Sequence, residues 1–182
     1  MENTGLLALT NSTVSDNRAK TNGGGLYWST AGGFTLLNDT FVNNSAGAQG
    51  GNIYAGGAYT SALGLKNTIV AAGSPNNCDS HIASQGYNLE SANSCGWAAA
   101  GDLANTNPRL GPLQNNGGAT WTHALLVGSP AIDRGTNSGC PVTDQRGVSR
   151  PIDGDRNGLA VCDIGAYETP PLWAVFLPLI KH

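Results

Sequence analysis

Two segments of this chain recur in the same order, 27 residues apart. Residues 9–17 (LTNSTVSDN) match residues 36–44 (LLNDTFVNN), and a shorter copy (LKNTIV, residues 65–70) follows after a looser interval of 29. Glycine runs ending in Tyr27 and Tyr54 keep the interval of 27. Short apolar alternations parted by Asn and Gly indicate strands rather than helices. An ordered repeat of this length favours a solenoid, in which each unit buries its inner face against the next.

Stacking such units in register predicts an all-β chain folded as a parallel β-helix of about three coils of about 27 residues. Each strand would pair with its equivalent in the next coil, about 4.8 Å away. The inward Leu, Ile, Val and Phe side chains would form a continuous column. An antiparallel sandwich with coincidental internal similarity remains the alternative.

The repeated asparagine has a physical role in this fold. Asn tolerates the left-handed backbone conformation of a tight turn, and its side-chain amide can bond to an Asn stacked above it. We therefore expect a structural ladder of Asn11, Asn38 and Asn67.

Composition excludes some partners. Charged residues make up 12% of the chain, and nine Lys and Arg residues cannot form a surface that follows a phosphate backbone, so we expect no nucleic acid partner. The longest apolar tract, residues 172–177, is far shorter than the roughly 20 residues of a membrane span. The hydrophobic fraction of 40% is sufficient for a folded core.

Four cysteines, Cys78, Cys95, Cys140 and Cys162, lack the paired spacing of zinc or redox motifs. They favour two disulfides and an oxidising compartment. Four cysteines can pair in three ways, and all three are open. Pairing of neighbours along the chain, Cys78 with Cys95 and Cys140 with Cys162, would close loops of 17 and 22 residues. Four buried free thiols are the alternative.

Several further motifs, in order along the chain, resemble the choice-of-anchor Q proteins. They are NTIV (67–70), GYNL (86–89), NPRLGPL (107–113), NGG (116–118), HALL (123–126), GSPAID (128–133), TDQRG (143–147) and CDIGAYE (162–168). The resemblance implies a right-handed parallel β-helix in a bacterial protein that is exported or held at the cell surface. It implies a location and a scaffold rather than a substrate.

With this resemblance the chain divides into three parts. Residues 1–91 form the coils, residues 92–168 a loop-rich C-terminal cap of the same domain, and residues 169–182 an apolar tail. The tail is a sorting or anchoring signal, a final strand against the cap, or a strand offered to another subunit.

Calcium is the expected cofactor of the segment DGDRNG, which supplies oxygen ligands at alternate positions and a glycine at the sixth, as in the first half of an EF-hand loop. The acid expected at the twelfth position is missing, since Ile164 stands there, and either Asp163 or Glu168 could substitute for it. An acidic turn held by nearby arginines, without metal, is the alternative. The predicted metal ligands are Asp153, Asp155, Asn157 and Asp163.

A second concentration of charge is read in two ways, as a catalytic site or as a buried salt-bridge network that organises a long loop. It comprises Asp133, Arg134, Asp144, Arg146 and Arg150. The network is the favoured interpretation.

Aromatic residues near equivalent turns predict a stacking platform for a polysaccharide or cell-surface glycan. Alternation along a strand allows only one of Tyr27 and Trp28 to face outward. The predicted glycan-binding residues are Trp28, Tyr54 and Tyr59. Packing of these rings between coils is the alternative.

These observations predict a non-catalytic, exported or cell-surface scaffold or adhesin, with no catalytic residue assigned. By analogy of fold, a polysaccharide lyase or glycoside hydrolase is the second hypothesis. Asp16 and Asp39 argue against it, because they do not align in the repeat. A self-assembling extracellular fibre subunit, associating through the N-terminal coil or the C-terminal tail, is the third.

Overall fold

The computed structural model describes residues 7–28, 33–56, 64–79 and 82–171, which contain strands and turns but no helix. Nothing in this part of the chain forms a helix long and apolar enough to cross a membrane. Asn and Gly interrupt the sequence at short intervals and favour turns, which keeps every strand to five residues or fewer. The strands, β1 to β13, are Leu7–Thr10, Thr13–Ser15, Arg18–Ala19, Leu26–Trp28, Phe34–Leu37, Thr40–Val42, Ser45–Ala46, Ile53–Ala55, Leu65–Lys66, Ile69–Ala71, Leu89–Glu90, Leu110–Gln114 and Thr122–Leu125.

Strands one repeat apart lie side by side in parallel. β1 to β4 pair with β5 to β8 in the same order, with partners such as Leu7 and Phe34 that are 27 positions apart. β9 and β10 pair with β5 and β6 at an interval of 29 positions, as Leu65 does with Leu36. The predicted intervals are therefore confirmed as backbone pairings. Parallel strands in several sheets make this an all-β protein of a β-helix-like class, and we call each repeated unit a coil.

The core is built from columns of equivalent side chains. In one column Leu36 lies between Leu9 and Leu65, and in a second Phe41 lies between Val14 and Val70. Leu36, Phe41, Leu65 and Val70 are fully buried. Their burial removes apolar surface that a single coil could not cover, which is the main force holding the coils together.

The sheet β2-β6-β10-β11 is covered on both faces. Phe41 of β6 faces the inner core, and its neighbour Val42 points to the opposite side, as alternation along a strand requires. Val42, Ile69 and Leu89 form a second apolar cluster with residues of the C-terminal section, including Ile164. The outer face of this sheet thus needs a cover of its own.

The predicted cap section, residues 92–168, divides into two parts that lie in different places. Residues 92–106 lie against the last coil, where Trp97 joins the inner core and Leu103 bridges to Leu89. From residue 107 onward the chain covers the outer face of the four-stranded sheet, with the antiparallel hairpin β12–β13 as its regular element. The chain beyond the coils therefore contacts both the last coil and the outer face of this sheet.

Two disulfides join all four cysteines, as predicted. Cys78 bonds to Cys95 and Cys140 bonds to Cys162, at sequence separations of 17 and 22. The first attaches the third coil to the residues beyond the last coil, and the second closes a loop of the C-terminal section. Of the three possible pairings, the one between neighbouring cysteines along the chain is the one that forms.

Candidate functional site

Two tyrosines form a stacked pair on the outside of the coils. Tyr27 of β4 is in register with Tyr54 of β8, and their rings lie 5.1 Å apart and within 3° of parallel. Tyr27 is 53% exposed. Parallel in-register strands place equivalent side chains directly above one another, so the stack follows from the repeat. Its exposed face suits the apolar face of a sugar ring.

Trp28 lies on the other side of its strand. It packs against the inner core and meets Phe34 edge to face, with ring centroids 6.0 Å apart. Leu26 also packs against the core, and alternation therefore turns Tyr27 outward and Trp28 inward. Tyr27 thus takes the position in the platform that the sequence analysis assigned to Trp28. The remaining predicted residue, Tyr59, lies outside the described residues.

The absence of a side chain at Gly56 leaves the space that the Tyr54 ring occupies. A Cβ atom at Gly56 would lie 2.3 Å from Cε1 of Tyr54, closer than real side chains approach. Sequence reasoning considered both Tyr27 and Trp28 for the outward position and chose Trp28, and it did not consider Gly56. The alternation from Leu26, applied one residue at a time, would have found Tyr27.

Residues 153–158, which we call the acidic loop, lie beside Asp133, and three carboxylates come together there. One oxygen from each of Asp133, Asp153 and Asp155 lies within 4.8 Å of the others. Burial raises the pKa of Asp133, and the charges of Asp155 and Asp153 add to the effect. A cation at this point would relieve the repulsion between the carboxylates. Oxygen ligands such as these suit calcium. Asp133 was not among the predicted ligands, since twenty residues separate it from Asp153.

Asn157 and Asp163 occupy different positions around this loop. Asn157 lies beside Asp155, to which its Nδ2 donates at 3.1 Å. Asp163 lies outside the cluster of three, because its carboxylate accepts the backbone N–H groups of Asp133 at 2.7 Å and Thr169 at 2.6 Å. Asp163 therefore fixes the backbone beneath the acidic loop, and the sequence spacing alone did not distinguish this from a ligand position.

Most of the charge-rich residues form a buried network. Arg150 pairs with Glu168 at 3.1 Å, and neither side chain is exposed. Arg146 pairs with Asp144 at 2.7 Å and covers the ring of Tyr167 at 3.5 Å. Buried charges need partners of opposite sign or hydrogen bonds, which these residues give one another. The arrangement favours the structural interpretation of this cluster.

Two carboxyls of the network have altered acidity. Burial raises the pKa of Asp163 and that of Glu168. The charge of Asp163 raises the pKa of Glu168 further, and the charge of Arg150 lowers it. Asp39, inside the coils, has a pKa raised to about 7 by burial, although Ser12 and Leu37 donate backbone hydrogen bonds to it. Asp39 is fully buried, whereas Asp16 is exposed, so the two do not converge.

The asparagines of the predicted ladder all have a positive φ, between 49° and 53°. Asn67 donates to the side-chain oxygen of Asn38 at 3.3 Å. Asn11 instead donates to the carbonyl of Thr143 at 2.7 Å, and Asn38 to that of Asp163 at 3.1 Å. The amide ladder therefore joins the second and third coils, and the outward amides also hold the C-terminal section against the sheet.

A second chain of amides was missed. Asn17 donates to Asn44, Asn44 to Asn52, and Asn52 to Asn77, each at 2.9 to 3.0 Å between side chains. The chain ends where Asn77 donates to Glu90 at 3.1 Å. Asn17 and Asn44 are repeat equivalents, so part of this signal was visible in the sequence.

Two clefts adjoin the C-terminal section, each of about 610 Å³. The first has Asp16 and His123 in its wall, and His123 lies 2.7 Å from the carbonyl of Gly111 and 3.0 Å from the hydroxyl of Ser15. The bond with Ser15 attaches the hairpin to the first coil, and the bond with Gly111 joins the two strands of the hairpin. The second cleft is mainly apolar and lies where the described chain ends.

Comparison with known proteins finds no matching family model, no matching curated protein and no matching solved structure.

Proposed function

We propose that this protein is an extracellular scaffold, a right-handed parallel β-helix of the choice-of-anchor Q kind, that binds glycans through the Tyr27–Tyr54 pair. The observation that carries the proposal is the stacked, exposed tyrosine pair on consecutive coils. A rigid coil stack holds the two rings parallel to each other without the loss of side-chain freedom that a flexible loop would incur on binding.

Three other observations support the proposal. Parallel strands joined by crossovers are right-handed in about 98% of known cases. The two disulfides are consistent with an extracellular protein, because such bonds persist in oxidising compartments. The buried carboxyls of Asp144 and Glu168 are paired with Arg146 and Arg150, which favours a binding or structural role over catalysis.

Retention on a panel of immobilised polysaccharides tests glycan binding. Tyr27→Ala should weaken the retained interaction about tenfold, since loss of ring stacking and its buried area is worth about 1.4 kcal/mol. Trp121→Ala is the matched control, because Trp121 is 61% exposed but is not part of the pair. Equal binding by Tyr27→Ala and the unaltered protein, or retention on no polysaccharide, would contradict the proposal.

We also propose that calcium binds the acidic loop through Asp133, Asp153 and Asp155, with Asn157 beside them. The support is the convergence of three carboxylate oxygens within 4.8 Å on one turn. Calcium would neutralise their mutual repulsion and attach the turn to the segment that carries Cys162.

Thermal unfolding with calcium and with EDTA tests the calcium site. Ligand at a hundred times its dissociation constant stabilises a folded protein by about 2.7 kcal/mol, so calcium should raise the melting temperature. Asp155→Asn should abolish the rise. Asp16→Asn is the control, because Asp16 is also exposed but lies on the coils. An identical melting temperature of the unaltered protein in both conditions would exclude the site.

A further inference from the structure

The second cleft has an apolar wall at the point where the described chain ends. Leu125, Leu126, Val127, Ile132 and Tyr167 line it, and its volume is about 610 Å³. Leu126 is 48% exposed and Val127 is 73% exposed, although both are large aliphatic side chains. Contiguous exposed apolar surface of this kind marks a site that another apolar group covers.

The chain itself runs into this cleft. Thr169 and Pro170 form part of its wall. Thr169 is anchored there, because its backbone N–H donates to the buried carboxylate of Asp163 at 2.6 Å. The described chain therefore ends at the edge of the apolar wall.

The residues that follow match the cleft in chemistry. Residues 172–180 read LWAVFLPLI and contain no charged or hydrogen-bonding side chain other than the indole of Trp173. Nine extended residues reach at most about 30 Å, which exceeds the width of a cleft of this volume.

We propose that residues 172–180 bind in this apolar cleft of their own molecule. Val127 and Leu126 are the side chains that the tail covers. Attachment at Thr169 gives the tail an effective concentration in the millimolar range, far above that of a second copy at micromolar protein concentration. Binding within one molecule is therefore favoured over exchange between two.

Limited chymotrypsin digestion of the full chain tests the proposal, because Trp173 and Phe176 are cleavage sites within the tail. Val127→Asp should increase the rate of cleavage at these sites about tenfold, since a buried carboxylate in place of an apolar contact favours the open form. Val142→Asp is the matched control. Val142 is 82% exposed and is not in the cleft, so this variant should be cleaved at the rate of the unaltered protein.

Mass spectrometry of the fragments identifies the sites, and both variants change exposed valines, which leaves the core intact. Equal tail cleavage in Val127→Asp and the unaltered protein would overturn the proposal. A photo-crosslinker at position 176 gives an independent result. It should join the tail to residues 124–132 of the same molecule, in a yield independent of protein concentration. Crosslinked dimers, or crosslinks elsewhere, would assign the cleft to a second copy or another ligand and overturn the proposal.

Discussion

The side-chain amide of Asn44 donates to the side-chain oxygen of Asn52 at 2.9 Å, and both residues are fully buried. This bond is the middle of the amide chain that extends from Asn17 to Glu90. The chain joins coils through polar groups rather than through apolar columns. Because buried amides without partners are costly, it specifies the register in which the coils stack.

Asn44→Ala should destabilise the protein by about 2–4 kcal/mol. The substitution removes the side-chain donor to the carbonyl of Val14 and to the Asn52 oxygen, which keeps only the backbone N–H of Asn44 at 3.3 Å. It also leaves the backbone N–H of Asn17 without its acceptor. Urea unfolding measures the change. Asn93→Ala, at an exposed asparagine, is the control and should change stability by less than about 0.5 kcal/mol. Equal effects of the two substitutions would contradict the role of the chain.

Stability should fall as pH rises from about 4 to about 7. Burial raises the pKa of Asp39 to about 7 and also raises the pKa of Asp163 and of Glu168, so the folded protein holds protons that the unfolded chain releases. Where the folded state binds more protons, unfolding free energy decreases with pH, by up to about 1.4 kcal/mol per pH unit for Asp39. Urea unfolding across this range measures the slope.

Asp39→Asn isolates one contribution, because an amide resembles the protonated carboxyl in shape and charge. The pH slope of this variant should be smaller than that of the unaltered protein between about pH 4 and 7. Asp79→Asn is the control, since Asp79 also accepts a backbone N–H, that of Ala55, at 2.8 Å. An identical slope in Asp39→Asn and the unaltered protein would show that Asp39 is ionised when folded.

Arg150→Met should destabilise the protein by about 3–5 kcal/mol, because it removes the donor from several buried acceptors, among them the carboxyl of Glu168. Arg150 also donates to the carbonyls of Asp163 and Gly165, at 3.0 and 2.7 Å. The exposed Arg18→Met variant serves as comparison and should be nearly neutral. Thermal unfolding of both variants distinguishes a structural network from dispensable charges.

Removing the Cys78–Cys95 disulfide by a double substitution to alanine should cost about 3 kcal/mol. The loss acts through the unfolded chain, which gains freedom when its 17-residue loop opens. Denaturant unfolding of oxidised samples measures it. A double variant with undiminished stability would show that the closed loop does not stabilise the fold.

The repeat predicted the parts of the fold that depend on equivalence between coils. Its 27-residue interval fixed which strands pair, since Leu36 and Leu65 must occupy one column for either to be buried. The Tyr27–Tyr54 stack follows from the same register. The error at Trp28 came from choosing between two adjacent aromatics without following the alternation from Leu26.

Contacts between the coils and the C-terminal section were beyond prediction from periodicity. Residues 107–171 do not repeat, so nothing in their order indicates that Ile164 packs on Ile69 or that Thr143 accepts a bond from Asn11. The inclusion of Asp133 in the acidic cluster depends on the same tertiary fold. Long-range placement of this kind is determined by packing rather than by local propensity.

The central claim is that successive coils stack in a right-handed β-helix and present their tyrosines as one outer surface. A crystal structure tests it most directly. The account predicts right-handed coils, parallel pairing of Val14 with Phe41 and of Phe41 with Val70, and the rings of Tyr27 and Tyr54 stacked towards solvent. Antiparallel sheets, a left-handed coil, or tyrosine rings turned into the core would contradict it.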